Sequence, residues 1–189
     1  SEAVKEVFIK LYEKGYIYKG SRIINWCPVC QTSISDAEVE YKEEASHLWH
    51  LRYKIKGENR YVEVATTRPE TMLGDTAVAV NPEDKRYTDI VGKTCIVPIV
   101  NREIPIIADE FVETEFGTGC VKITPAHDPN DSQAGLKHKL EFIEVFDDKT
   151  IMGDLMPEVK GMKAIEARKI IVKKLEELGA LVSIEDYTH

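Results

Sequence analysis

The chain has 189 residues, enough to bury a sizeable core in one domain with appendages. Its 43% hydrophobic and 31% charged residues suit a folded globular protein, and no apolar run approaches the ~18 residues of a membrane helix. A formal net charge of −8 argues against gripping nucleic acid by bulk electrostatics, but leaves room for a small basic patch beside a pocket. The opening Ser1-Glu2-Ala3-Val4-Lys5 lacks the basic-then-apolar order of a secretory signal, so a cytoplasmic location with no membrane partner is expected.

Val4, Phe8 and Leu11 recur at helical spacing between Glu2 and Lys14, and Gly15 is placed to end that helix. Ile17 to Trp26 reads as extended, leading into a turn at Cys27-Pro28-Val29-Cys30, with Ile34 to Tyr41 as the second arm of a ribbon. Residues 1–45 have little apolar mass of their own and are expected to be a helix and ribbon that connect to something larger.

Short strands dominate from His47 onward. Leu48 to Ile55 and Tyr61 to Thr66 alternate, and Thr76 to Val80 is small and β-branched. Thr94 to Val100 and Glu103 to Ile107 are expected to form a tight hairpin turning at Asn101-Arg102. Gly117-Thr118-Gly119 breaks the chain before an apolar strand from Cys120 to Ile123. A short helix is expected from about Asn130 to Lys139, because Pro129 and the neighbouring Asp residues suit a helix start.

Ala164, Ala167, Ile171, Leu175 and Leu178 share one helical face within about 162–178, with Gly179 at the cap position. Between Lys160 and Gly179 six Lys or Arg face three Glu, which most simply makes a solvated surface. The expected fold is α+β and mainly β: a distorted, closed or nearly closed barrel with peripheral helices, occupying residues 46–189 with its core motifs within 61–140.

Two polar clusters interrupt the strands, Thr66-Thr67-Arg68-Pro69-Glu70-Thr71 and Lys122-Ile123-Thr124-Pro125-Ala126-His127-Asp128-Pro129-Asn130-Asp131. Each follows a strand end, where a rigid scaffold presents loop residues to a pocket. Asp128 and Asp131 are three apart, so a helical start places both on one face, fit to bind an ammonium or orient a water; capping of the helix is the equal alternative. His127 next to Asp128 has the chemistry of a general base or metal ligand, but a hydrogen-bonded structural histidine explains it at least as well.

Cys27 and Cys30 form half of a four-ligand zinc site without a second pair, so zinc is not expected in this chain. Cys95 and Cys120 sit alone in apolar stretches and read as buried small hydrophobes. No Gly-x-Ser-x-Gly elbow, phosphate loop or dinucleotide fingerprint is present. A hydrolase built from these residues would act by positioning water and stabilising charge.

The clusters resemble a known family. Asn25-Trp26-Cys27-Pro28-Val29-Cys30 and Ser35-Asp36-Ala37-Glu38-Val39-Glu40-Tyr41 resemble the entrance to the large insertion of class I valyl-, isoleucyl- and leucyl-tRNA synthetases. Thr66 to Asp75 is similar to the threonine-rich motif of their editing pockets, and Gly117 to Asp131 to its partner on the other wall. Arg68-Pro69-Glu70-Thr71 and Lys122-Ile123-Thr124-Pro125 resemble the valyl version best, with leucyl nearer than isoleucyl among the rivals.

The resemblance implies an editing domain that hydrolyses threonine wrongly esterified to the 3′ end of a valine tRNA. It implies Asp131, Lys122 and Thr71 as catalytic residues, with Asp131 anchoring the substrate's α-ammonium group. Thr67, Thr71, Lys122, Thr124, His127 and Asp128 are implied to line the pocket, and Arg68 to lie near the substrate or the terminal adenosine. No metal or other cofactor is implied for this reaction; ATP belongs to the full-length synthetase. The implied partners are that tRNA end and the rest of the synthetase chain, with the fragment itself a monomer. Ser132 departs from the family's frequent aromatic residue and is expected to alter the pocket wall. A non-catalytic tRNA-binding module and a metal-dependent esterase using His127 with Asp128 are the competing readings.

Overall fold

Strand β3, Ala45–Ile55, is the longest in the chain, and its alternation sends Trp49, Leu51, Tyr53 and Ile55 inward while Arg52 and Lys54 stay at the surface. The computed structural model describes residues 1–20, 22–115 and 117–188. Around β3 it places β4 (Tyr61–Thr66), β5 (Ala77–Val80), β6 (Thr94–Ile96), β7 (Glu103–Ala108), β8 (Cys120–Ile123) and β9 (Leu181–Thr188). The hydrogen-bonded order is β4-β3-β6-β7-β5-β8, antiparallel except for β5 with β7, and β9 joins the edge of β3 that β6 also uses. The path nearly closes, because β8 returns beside β4 and Thr118 Oγ1 donates to Glu63 O (2.7 Å) just before β8 begins. The result is the barrel-like sheet with few helices that the strand pattern predicts.

The interior holds the inward faces of β3, β4, β6 and β7 together with Met72, Leu73 and the apolar side of helix α3, Ala164–Glu177. Ala164, Ala167, Ile171 and Leu175 are the buried face of α3, as their spacing requires. Gly179 (φ +64°) ends it: Gly179 N donates to Glu176 O and Ala180 N to Leu175 O, and the chain turns directly into β9. A second, smaller core of Ala77, Ala79, Val112, Ile123 and Ala134 lies under helix α2, Pro129–His138.

Helix α1, Glu2–Glu13, buries none of its residues, and β1 (Asn25–Cys27) with β2 (Thr32–Ile34) forms a separate two-stranded ribbon. Three expectations change here. The second ribbon arm is Thr32–Ile34, not Ile34 to Tyr41, because Ser35 and Glu38 close a capping box that turns Asp36–Glu38 into a 3-10 turn. The strand expected over Thr94 to Val100 stops at Ile96, since Pro98 has no N–H for the ladder. Its hairpin turns through Pro98 to Asn101, with Val97 N donating to Arg102 O (2.8 Å). Strand β9 was not expected, for its residues are almost all exposed and carry no two-residue alternation of burial.

Within the 3-10 segment Pro69–Gly74, Glu70 is buried and takes two hydrogen bonds from Arg168 of α3, at 2.8 and 2.9 Å. One of the four cations of α3 is thus turned inward. This bidentate pair fixes the polar loop after β4 to the back of the barrel. Arg168→Met takes both hydrogen-bond donors from the buried Glu70 carboxylate and leaves only Arg68, 4.0 Å away, so denaturant unfolding should show a loss of about 3–5 kcal/mol. A loss under about 1 kcal/mol would mean that the pair does not hold the loop.

Candidate functional site

Strands β5 and β8 pair Ala77 with Ile123, which brings the residues just before β5 against the residues just after β8. The loop after β4 and the loop after β8 therefore meet across one cavity of about 350 Å³. Thr67, Arg68, Thr71, Lys122, Thr124, His127, Asp128 and Asp131 all line it, and Thr71 and Asp131 share it rather than facing apart. Leu48, Ala65, Phe111, Val121 and Tyr187 add apolar and aromatic wall. Ser132 is not among the lining residues, so the departure expected to change the wall does not touch it.

Beneath the cavity lies a residue that sequence reasoning did not single out. Asp75 is fully buried, and three donors converge on its carboxylate. Tyr53 Oη donates to Oδ2 (2.6 Å), while Lys122 Nζ (3.0 Å) and Thr124 Oγ1 (2.6 Å) donate to Oδ1. Lys122 Nζ also donates to Thr124 Oγ1. Burial pushes the Asp75 carboxyl above its ordinary range, against the pull of Lys122 and the two hydroxyls. Only donors surround it, the arrangement of an ionised carboxylate. The signal for it was its place at the end of the Thr66 to Asp75 motif, two residues before the strand that pairs with β8.

These bonds decide which polar atoms face a ligand already committed. Thr124 spends its proton on Asp75, and Thr71 Oγ1 donates to Arg68 O (2.9 Å), leaving only acceptor capacity on Thr71. Asp128 Oδ1 accepts from Asn130 N (2.8 Å) and Asp131 N (3.1 Å), so it caps α2, the structural alternative weighed for it. Asp131 Oδ2 accepts from Thr124 N (2.8 Å), and its Oδ1 has no partner among the described residues. Burial raises the Asp131 carboxyl to about 6, with Lys122 opposing and Asp128 and Asp75 adding to the rise. Among the described residues the Thr67 hydroxyl is also without a partner.

His127 is a structural group. Its Nε2 accepts from Val145 N (2.8 Å), its ring packs on Phe146 with centroids 4.3 Å apart, and burial with Arg68 and Lys122 nearby lowers it to about 4. The imidazole is neutral with its proton on Nδ1, and the Nε2 lone pair that a base or zinc ligand would use is occupied. Arg68 is exposed and donates to His127 O (3.0 Å), joining the two loops at the cavity. Away from the site, Cys27 and Cys30 are free thiols in the ribbon turn, with Cys30 N 3.4 Å from Cys27 Sγ. Among the described residues no third His, Cys, Asp or Glu joins them.

The model of the class I tRNA synthetases (I, L, M and V) matches residues 1–176. The whole chain is 56% identical to part of a valine–tRNA ligase of Clostridium perfringens and 57% identical to part of one of Thermotoga maritima, spanning 22% of each. A third, from Geobacter sulfurreducens, is 56% identical, with 21% of its length spanned. The chain thus covers about a fifth of the curated relatives it matches. Among solved structures, the ternary LeuRS–tRNA–LeuAMS complex of Agrobacterium radiobacter aligns with 97% of this chain and 31% of its own, at TM-score 0.58 and 18% identity. The structure of GlLeuRS-CP1 aligns over 72% of this chain and 98% of its own, at TM-score 0.58 and 13% identity. At these identities the two structures speak for the fold alone.

The buried Asp75–Lys122 pair should behave as a unit. Asp75→Asn and Lys122→Met each strand one charge and should each cost about 3–5 kcal/mol in urea unfolding. The double variant should cost clearly less than the sum; additivity within about 0.5 kcal/mol would show that the two side chains are not coupled.

Proposed function

Because the chain belongs to the class I tRNA synthetases (I, L, M and V), we propose that its cavity is the editing site of a valine-specific member, which hydrolyses threonine esterified to the 3′ end of the valine tRNA. The observation that carries this reading is the set of open and committed polar groups set in one small, partly apolar cavity. Similarity to valine–tRNA ligases along the entire chain supports the amino acid, and likeness in fold to a CP1 structure supports the module.

Threonine and valine have nearly the same shape, so an apolar pocket discriminates poorly between them, whereas a pocket that hydrogen-bonds the hydroxyl leaves polar groups unpaired when valine enters. The substrate's α-ammonium group pairs with Asp131 Oδ1, an open oxygen on a carboxylate more deeply buried than that of Asp128. Thr71 Oγ1, whose proton is already given to Arg68 O, accepts the proton of the threonine hydroxyl. Lys122 supplies its third N–H to the charge that develops on the ester carbonyl oxygen, held in place by Asp75 and Thr124. Arg68, at the exposed side of the cavity, meets the phosphate or ribose of the terminal nucleotide.

Water attacks the carbonyl carbon, the ester C–O bond breaks, and the proton from water ends on the departing ribose oxygen, releasing threonine and the free tRNA. A neighbouring ribose hydroxyl is placed to assist that transfer. The protein's part is to orient the ester and its water, with no covalent intermediate.

Threonyl-, valyl- and isoleucyl-tRNA offered separately should lose their esters at very different rates, threonyl fastest. Equal rates, or binding without turnover, would leave only a tRNA-binding module. The pH dependence has a defined sign. Asp131 must be ionised to hold an ammonium, so kcat/KM should fall as pH drops through about 6, the value for the free site. Asp131→Ala should remove the activity, a loss of about 2–5 kcal/mol in transition-state stabilisation, while leaving the fold intact. Unchanged activity in that variant, or a flat profile from about pH 5 to 7, contradicts the role given to Asp131.

A further inference from the structure

The connection between β6 and β7 adopts a backbone that its residues disfavour. Ile99 has φ +66°, a conformation from which β-branched side chains are nearly excluded. Val100 N donates to Pro98 O (2.7 Å) across it, closing a three-residue γ-turn of the rare positive-φ kind. Asn101 follows at φ +51°. Strain of this sort persists only where the surroundings over-determine it. Here the surroundings are the main core, on which Ile99 packs, and the bond from Val97 N to Arg102 O (2.8 Å).

The turn delivers the half-buried Arg102 side chain to the segment that carries Asp75. A single atom, Arg102 Nη1, donates to Leu73 O (2.8 Å) and to Asp75 O (3.2 Å), the carbonyls on either side of Gly74. Among the described residues no carboxylate pairs with this guanidinium, so its charge is spent on peptide oxygens at the end of the 3-10 segment. Gly74 is gripped as well. A Cβ there would stand 2.6 Å from Val145 Cγ2 and 2.8 Å from Ile143 O, in the same segment whose Val145 N is held by His127. Residues 73–75 are thus pinned by a cation at their carbonyls and by close packing at their central α-carbon.

We infer that Arg102 is a positioning residue of the proposed editing site: it fixes the Asp75 backbone so that the carboxylate can hold Lys122 and Thr124 in register beneath the substrate. This rests on the editing reading for its link to turnover, and on the geometry alone for the clamp itself. Arg102 touches neither the cavity nor, on this account, the substrate, and acts only through Asp75. Sub-ångström placement of a supporting carboxylate is what a pre-organised site requires.

The test uses the full 189-residue chain with two readouts, steady-state hydrolysis of threonyl-tRNA and the side-chain ammonium NMR signal of Lys122. Arg102→Met keeps length and apolar bulk but has no donor. It should shift the Lys122 signal and lower kcat by about tenfold or more while leaving KM within about twofold. Arg102→Lys should restore both readouts in large part, because one ammonium at the Nη1 position can serve both carbonyls. A merely stabilising arginine would change the melting temperature and leave the Lys122 signal and the kcat/KM split alone.

If Arg102→Met does not fold, Arg102→Gln, which keeps a donor but lacks the charge and the reach to both carbonyls, should move the Lys122 signal in the same direction. A wild-type Lys122 signal and wild-type kcat in Arg102→Met, or a wild-type signal in Arg102→Gln when Arg102→Met is unfolded, overturns the clamp. Failure of the unmodified chain to hydrolyse the ester would instead sink the editing reading, with the Lys122 signal still deciding the clamp.

Discussion

The floor of the cavity is organised around one carboxylate that does not line it. Asp75 is fully buried, and an isolated charge there would be prohibitive, so the fold must bring donors to it from β3, β8 and the loop after β8 at once. Those donors tie the floor of the barrel to the wall of the cavity. Tyr53 comes from the inward face of β3, Lys122 from β8, and Thr124 from the loop whose N–H also holds Asp131. Loss of this carboxylate would therefore loosen the core and the site together, which is unusual for two functions normally separable by mutation.

A consequence is that few groups remain open to a ligand. Thr124, Asp128 and His127 line the cavity yet have their strongest hydrogen-bonding capacity committed to the protein. Among the described residues Asp131 and Asp128 each keep one oxygen, Thr67 its hydroxyl, Thr71 its acceptor lone pairs, and Lys122 one N–H. A cavity with a buried carboxylate that keeps one oxygen open, at Asp131, and a few pre-aimed donors and acceptors selects by chemistry more than by size. Such selection suits a pocket whose task is to recognise one added hydroxyl on an otherwise valine-shaped side chain.

The legible part of the fold was whatever a buried face imposes on sequence. The alternation of β3 and β4, the helical stripe of α3 and the stop at Gly179 all follow from which side meets the core. Strand β9 was illegible because it has no core face; its pairing with β3 comes from backbone hydrogen bonds that any sequence can make. With it went Tyr187, which reaches the cavity from a strand whose existence the pattern did not announce. Clustering of polar residues at two strand ends located the cavity, but could not tell an open carboxylate from a capping one. Asp128 and Asp131 look alike in sequence, and only the start of α2 at Pro129 makes one the cap and buries the other against the Thr124 N–H with one oxygen open. Asp75 was hidden for a related reason: its partners lie 22, 47 and 49 residues away, and the pairing of β5 with β8 brings Lys122 and Thr124 to it while Tyr53 comes from the inward face of β3.

The most direct test is a crystal structure of the chain with a non-hydrolysable threonyl-adenosine, in which an amide replaces the ester. The account predicts the analogue's ammonium roughly 3 Å from Asp131 Oδ1 and its side-chain hydroxyl within hydrogen-bond reach of Thr71 Oγ1, with the Asp75 bonds unchanged. An analogue seated outside this cavity, or one whose ammonium turns away from Asp131, would contradict it.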